Sequence, residues 1–128
     1  MTRGMVFLDA AGLIALLNTR DRHHESARKV MRGFREARLL MVTTEWVLSE
    51  FLALASLPRT REGATRTVRS MMASPHHRII EASHEGWSRA FELYASRLDK
   101  EWSLVDCVSI LACRELGMSP VAVYSECD

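Results

Sequence analysis

The stretch MVFLDAAGL, residues 5–13, decides which fold the sequence predicts. Its apolar residues 6–8 are typical of a short buried strand, and they lead directly into the carboxylate of Asp9. Small and apolar residues then follow with helical spacing over residues 10–17. A buried strand that passes at once into a helix is the first unit of a parallel α/β sheet.

The same alternation continues along the chain. Apolar runs bounded by polar residues predict further strands, and amphipathic or apolar segments between them predict helices. The further strands are predicted at residues 38–44, 78–82 and 119–125, and the helices at 23–37, 44–57, 61–74, 84–98 and 103–117. We therefore predict a single α/β domain over residues 1–128, with a central parallel sheet of four or slightly more strands flanked by helices in three layers.

Two of these helices carry much apolar surface. The segment 44–57 is apolar almost all round, which predicts a largely buried helix that Pro58 terminates. The segment 84–98 is amphipathic, and its apolar face is expected to pack on the core. That face consists of Trp87, Phe91, Tyr94 and Ala95.

Composition limits the classes of protein that the chain can belong to. Its 128 residues are 48% hydrophobic and 26% charged, which suits one globular domain with its own core. No apolar run is long enough to span a membrane, and Asp9 interrupts the stretch that a signal peptide would need. Three cysteines are too few for a disulfide framework, so we expect a reduced, cytoplasmic protein.

The charge is unevenly distributed although the net charge is only +1. Residues 19–38 carry seven Lys and Arg against three acids, and residues 58–78 carry five against one. A local basic patch can bind phosphate groups even on a nearly neutral molecule. The alternative is that these arginines only solvate helix faces.

Three acids stand at positions where carboxylates have a chemical or a structural use. Asp9 follows the first strand, where parallel sheets bind ligands, and it can equally cap the helix that begins at residue 10. Glu50 has only apolar helical neighbours, which predicts a buried face on which a lone carboxylate is costly. Asp106 forms an S-x-x-D capping box with Ser103, a role that does not exclude a second one.

Together the three carboxylates predict a divalent metal site. Acids that converge above a sheet repel one another unless a cation neutralises them. Carboxylate oxygens combined with water and phosphate ligands are typical of Mg²⁺ or Mn²⁺, which can activate water against a phosphodiester.

Three blocks of the sequence resemble the PIN-domain family, and most closely its ribonuclease toxins of the VapBC type. They are VFLDAAGLIALLNTRDRHHESA, TTEWVLSEFLALAS and DKEWSLVDCVSILACRELG, at residues 6–27, 43–56 and 99–117. The resemblance implies a metal-dependent endoribonuclease with Mg²⁺ or Mn²⁺ as cofactor, in which Asp9, Glu50 and Asp106 are the metal-binding catalytic acids. It implies that Ser103 supports the third acid through its hydroxyl.

The resemblance also implies partners: an RNA substrate, a protein antitoxin and a second copy of the chain in a homodimer. The candidates for contacts to the RNA backbone are Arg20, Arg22, Arg59, Arg61, Arg66 and Arg69. The segment 57–70 is equally a candidate surface for an antitoxin peptide.

The chain departs from the family pattern at two places. Alanines at 10 and 11 follow the first acid, where the family usually has Ser or Thr. Ser125 stands where a fourth acid is usual, so Glu126 is the candidate substitute and the domain is expected to be shortened at its C-terminus. These departures favour the alternative, a catalytically degenerate PIN domain that binds RNA or an antitoxin. A phospho-acceptor receiver domain is a weaker alternative, because paired acids after the first strand are absent.

Other residue types that attract a chemical interpretation have simpler ones. The histidine pairs 23–24 and 76–77 are expected at the surface, because adjacent helical residues do not face each other. Cys107 and Cys113 are expected to be core thiols, and the three tryptophans to serve packing.

Overall fold

The structure is a computed structural model that describes residues 4–118. The sheet consists of three short parallel strands within the described residues. They are β1 (Met5–Phe7), β2 (Leu40–Thr44) and β3 (His77–Ile80), in the order β1-β2-β3. In the register, Phe7 lies opposite Val42, and Thr44 lies opposite Ile80. The carboxyl ends of the three strands therefore meet at one edge of the sheet.

Six helices accompany these strands within the described residues. They are α1 (Ala10–Leu17), α2 (His24–Glu36), α3 (Glu45–Leu54), α4 (Pro58–Ala73), α5 (His84–Ser96) and α6 (Leu104–Glu115). The predicted α/β class with a parallel sheet and flanking helices is confirmed. The fourth predicted strand, at residues 119–125, lies outside the described residues, as does Glu126.

The core is built around the central strand. Met41 and Val42 of β2 are buried among Phe7 of β1 and Val47 and Phe51 of α3. Burying side chains of this size contributes about 1.5–3 kcal/mol each relative to leaving them in water. Because β2 and α3 are consecutive in the chain, the core fixes the direction in which α3 leaves the sheet.

Pro58 does not terminate the preceding helix, as the sequence predicted. Helix α3 ends at Leu54, and Pro58 is the first residue of α4. Proline is favoured at a first helical position, because its fixed backbone angle suits the helix and its missing N–H would have no partner there. The three residues 55–57 form the turn between the two helices.

Helix α3 is buried on one face only, so the prediction of a largely buried helix is wrong. Val47, Leu48 and Phe51 face the core, whereas Leu52 and Leu54 are exposed. Composition alone could not separate these faces, because both are rich in leucine.

The aromatic face of α5 is exposed, which also corrects the sequence prediction. Trp87, Phe91 and Tyr94 are 36%, 45% and 51% exposed, and the rings of Trp87 and Phe91 stack at 5.5 Å between centroids. The buried residue of α5 is Ala90, on the side on which the helix packs against α6. A small side chain there allows close packing of the two helices, so the larger rings remain outside.

Among the described residues, no helix has the length and the apolar character needed to cross a membrane.

Candidate active site

Asp9 lies at the exit of the first strand, between β1 and α1. Its Oδ1 atom accepts a hydrogen bond of 3.0 Å from the main-chain N–H of Gly12, so the predicted N-cap is confirmed. The side chain is half-buried. The cap fixes the carboxylate at the carboxyl edge of the sheet, where a ligand would bind.

Two buried threonines at the end of β2 position the elements around Asp9. The hydroxyl of Thr43 donates a hydrogen bond of 2.9 Å to the main-chain carbonyl of Leu8. The hydroxyl of Thr44 accepts one of 3.1 Å from the N–H of Val47 and thereby caps α3. Neither role was predicted from the sequence, although a threonine pair between an apolar strand and a helix is a recognisable capping signal.

Asp106 lies in the first turn of α6, in the capping box that the sequence predicted. Its Oδ2 atom accepts a hydrogen bond of 2.9 Å from the N–H of Ser103, whose hydroxyl accepts one of 3.0 Å from the N–H of Asp106. The reciprocal bonds hold the carboxylate in one orientation. Asp106 is exposed, so its position leaves it accessible to a ligand.

Glu50 connects the two capping acids. It is exposed on α3, so the prediction of a buried face is wrong, but partial withdrawal from solvent raises the pKa of its carboxyl. The negative charge of Asp106 and then that of Asp9 raise this pKa further. The three predicted acids, which are far apart in the sequence, are therefore close enough for their charges to interact.

Glu45 has a different environment, although it lies on the same helix. Its Oε1 atom accepts a hydrogen bond of 2.6 Å from the N–H of Ala82, just after β3. This bond ties the start of α3 to the exit of the neighbouring strand. Of the two glutamates on α3, Glu50 therefore faces the other acids and Glu45 has a structural bond.

The donor chemistry of the three acids suits a hard divalent ion. Their oxygens are the ligand type that Mg²⁺ and Mn²⁺ prefer, and a cation would relieve the repulsion that raises the pKa of Glu50. Over residues 4–118, however, no three such side chains are arranged as a closed set of metal ligands. Within those residues, the interaction of the charges is what links the three acids.

The predicted RNA-binding arginines are exposed on the surface. In the loop after α1, the Nε atom of Arg22 donates to Nε2 of His23 at 3.1 Å. On α4, the Nε atom of Arg61 donates to the carbonyl of Ser56 at 3.1 Å. The charged groups of Arg20 and Arg59 are also at the surface, and contact between any of them and RNA remains a prediction.

The two histidine pairs are less exposed than predicted, because His76 is the only one of these four residues that is exposed. The Nδ1 atom of His24 lies 2.8 Å from the carbonyl of Ala15, a contact that joins α2 to α1. His77 is half-buried on β3, and burial lowers its pKa, followed by the charges of His76 and Arg35.

The cysteines behave as predicted, and the tryptophans only in part. Cys107 and Cys113 are buried free thiols, and burial raises the pKa of Cys113 to about 11. Trp102 is half-buried with the guanidinium of Arg97 at 5.2 Å from its ring centroid, whereas Trp87 is exposed.

The chain is an α/β domain with carboxylates at one edge of its parallel sheet. They come from the exit of the first strand, from α3 and from α6. Residues 6–124 match the family model of the PIN domain, and the chain belongs to that family. No curated protein sequence matches it significantly.

Among solved structures, the fold is similar to that of VapC20 of Mycobacterium tuberculosis, described as a toxin that cleaves the sarcin-ricin loop. The TM-score is 0.77 at 21% sequence identity, over 90% of this chain and 85% of the other. At this identity, the similarity concerns the fold.

Proposed function

We propose that this protein is a metal-dependent endoribonuclease that hydrolyses RNA phosphodiester bonds, and the toxin of a type II toxin–antitoxin pair. The observation that carries the proposal is the electrostatic link of Glu50 with Asp9 and Asp106, which unites acids from the β1–α1 junction, α3 and α6. Membership of the PIN-domain family and the fold shared with a toxin that cleaves the sarcin-ricin loop support it.

Asp9, Glu50 and Asp106 would hold Mg²⁺ or Mn²⁺, with Glu126 as a further candidate ligand. When bound, the ion supplies Lewis acidity toward the phosphodiester and activates water. The chain contributes preorganisation, since the caps fix Asp9 and Asp106 before substrate arrives. In this proposal, Ser103 is a positioning residue that orients Asp106 through the capping box.

The proposal includes a cytoplasmic location and three partners: RNA, a protein antitoxin and a second copy of the chain. The exposed arginines of α4 and of the loop before α2 supply positive charge for an RNA backbone or for an acidic antitoxin segment. The similarity to a toxin of known structure supports the antitoxin partner.

A second candidate function is a PIN domain that binds RNA or an antitoxin without cleaving. The favouring observation is the residue pair after Asp9, since buried Ala10 and exposed Ala11 offer no hydroxyl beside the first acid. Such a domain would bind RNA through its arginines, and its binding would not depend on Mn²⁺.

Cleavage of RNA in Mn²⁺ distinguishes the two functions. We expect the purified protein to cut RNA in Mn²⁺ but not in EDTA, and we expect Asp106→Asn to lose cleavage while it still binds RNA. If neither protein cuts RNA and both bind it, the non-cleaving candidate replaces the enzyme.

A further inference from the structure

A cavity of about 260 Å³ lies where β2 and β3 end, about one turn of α3 from Glu50. Its walls come from α3, α5 and α6 and from the segment after β3. Pockets that take drug-sized ligands have volumes of roughly 300–1,000 Å³. This cavity is smaller, and its size suits a single heterocycle. None of the roles described above uses this cavity.

The cavity lies close to Glu50 along α3. Trp46 lines it and lies four residues before Glu50, hence on the same face of α3 and about 6 Å away along the helix axis. On α6, Val108 lines it two residues after Asp106, a spacing that places the two side chains on different faces of the helix. A group that stacks on Trp46 is therefore about one helical turn from Glu50.

The side chains that line the cavity offer a flat aromatic wall and an apolar floor. Trp46 is half-buried, and within the described residues no aromatic ring or cation stacks on its indole. The floor includes the apolar side chains of Ile80, Val108 and Leu111. Proteins read unstacked RNA bases in such surroundings, by stacking them on aromatic rings and bonding their edges.

The charged side chains that line the cavity determine whether a base or a phosphate binds there. Arg89 and Glu115 pair with each other across the mouth. Glu81 and Glu85 also line it, and within residues 4–118 neither has a hydrogen bond or an ion pair. Two carboxylates without a cationic partner favour N–H donors over a phosphate, so the cavity suits the base of a nucleotide better than its phosphate.

We propose that this cavity binds a guanine base of the RNA next to the cleaved phosphodiester, with Trp46 stacking on the base and Glu81 or Glu85 accepting its Watson–Crick N–H groups. This inference rests on the proposed function. Guanine presents two adjacent donors, N1–H and N2–H, which match the two oxygens of one carboxylate. Uracil presents a single N–H between two carbonyl oxygens, which the carboxylates repel.

The first test maps cleavage ends in a random RNA pool with Mn²⁺. We expect guanine at one fixed position beside the cut, enriched about 10-fold over uracil, the scale of one bidentate base contact. The double variant Glu81→Gln/Glu85→Gln should reduce this preference to below about 3-fold. The matched control is Glu92→Gln, an exposed glutamate of α5 that does not line the cavity.

The second test measures binding without cleavage. In EDTA, the variant Trp87→Phe/Trp102→Phe keeps Trp46 as its indole fluorophore, and we expect GpGpG to quench it at least 5-fold more strongly than UpUpU does. Adding Glu81→Gln/Glu85→Gln should remove the difference.

Equal quenching by both trinucleotides, or a base preference that the glutamine variants leave unchanged, would overturn the inference. Cleavage without base preference would leave the proposed function standing and refute the cavity assignment. Selective quenching without cleavage would support the cavity assignment and refute the proposed function.

Discussion

The hydroxyl of Thr43, buried at the end of β2, donates a hydrogen bond to the carbonyl of Leu8, the residue directly before Asp9. This bond joins the exits of the two neighbouring strands. The next residue, Thr44, caps α3, which carries Glu50. Two consecutive threonines thus link the first acid to the helix of the second.

Replacing Thr43 by valine should therefore destabilise the domain. The substitution keeps the shape but leaves the carbonyl of Leu8 without this donor, which costs about 1–3 kcal/mol in a buried site. Urea denaturation measures the change, and Thr43→Ser, which keeps the hydroxyl, is the control. Equal losses for valine and serine would show that packing matters more than the hydrogen bond.

The capping box separates the structural role of Asp106 from its chemical role. Asparagine keeps an oxygen for the N–H of Ser103, so the free energy of unfolding of Asp106→Asn should lie within about 0.5 kcal/mol of that of the wild type. Asp106→Ala removes the acceptor and should lose about 0.5–2 kcal/mol. Thermal denaturation of the two variants checks this, and a loss for asparagine as large as that for alanine would contradict the account.

The charged form of Glu50 should destabilise the metal-free protein, through its partial burial and then through the charges of Asp106 and Asp9. Because its pKa is raised in the folded state, the unfavourable contribution is present at neutral pH and vanishes as pH falls below the unfolded-state pKa near 4.5. In EDTA at pH 7, Glu50→Gln should raise Tm by about 1–2 °C, the scale of a like-charge interaction between exposed groups.

In Mn²⁺, the wild type should have a higher Tm than Glu50→Gln, the reverse of the order expected in EDTA. An ion that binds the folded state stabilises it by mass action, by about 2.7 kcal/mol at 100 times its Kd. We expect Mn²⁺ to raise the Tm of the wild type by several degrees and that of Glu50→Gln by much less. Equal shifts in differential scanning calorimetry would mean that the ion does not bind at Glu50.

Two phenylalanines provide a paired test of the fold. Phe51 on α3 is 0% exposed in the core, whereas Phe91 on α5 is 45% exposed. Phe51→Ala should cost about 3–5 kcal/mol, and Phe91→Ala less than about 1 kcal/mol. Chemical denaturation gives both values, and a large loss for Phe91 would place the aromatic face of α5 against the core after all.

Local patterns in the sequence predicted local structure well. The bounds of α1, Ala10–Leu17, agree with the prediction, as do the cap at Asp9 and the capping box at Ser103. Each of these depends on residues a few positions apart, whose chemistry acts regardless of the rest of the fold. The convergence of the acids came from the strand-exit rule and the family resemblance.

Tertiary contacts explain where the predictions were wrong. The helical neighbours of Glu50 are apolar, but its electrostatic environment is set by Asp106 and Asp9, which its own helix does not reveal. Likewise, the spacing of apolar residues in α5 predicted that its aromatic face would pack on the core. The face that contacts the neighbouring helix is instead the one that allows a close approach. That face carries Ala90, and the rings of Trp87 and Phe91 remain outside.

The most direct measurement is the rate of Mn²⁺-dependent RNA cleavage by Glu50→Gln and Glu45→Gln, two variants of one helix that make the same chemical change. Because Glu50 adjoins the other acids and Glu45 only accepts a hydrogen bond that glutamine can keep, we expect a loss of at least about 100-fold for the first and less than about 3-fold for the second. Equal rates for the two variants, or a loss confined to Glu45→Gln, would contradict the assignment of the three-acid site.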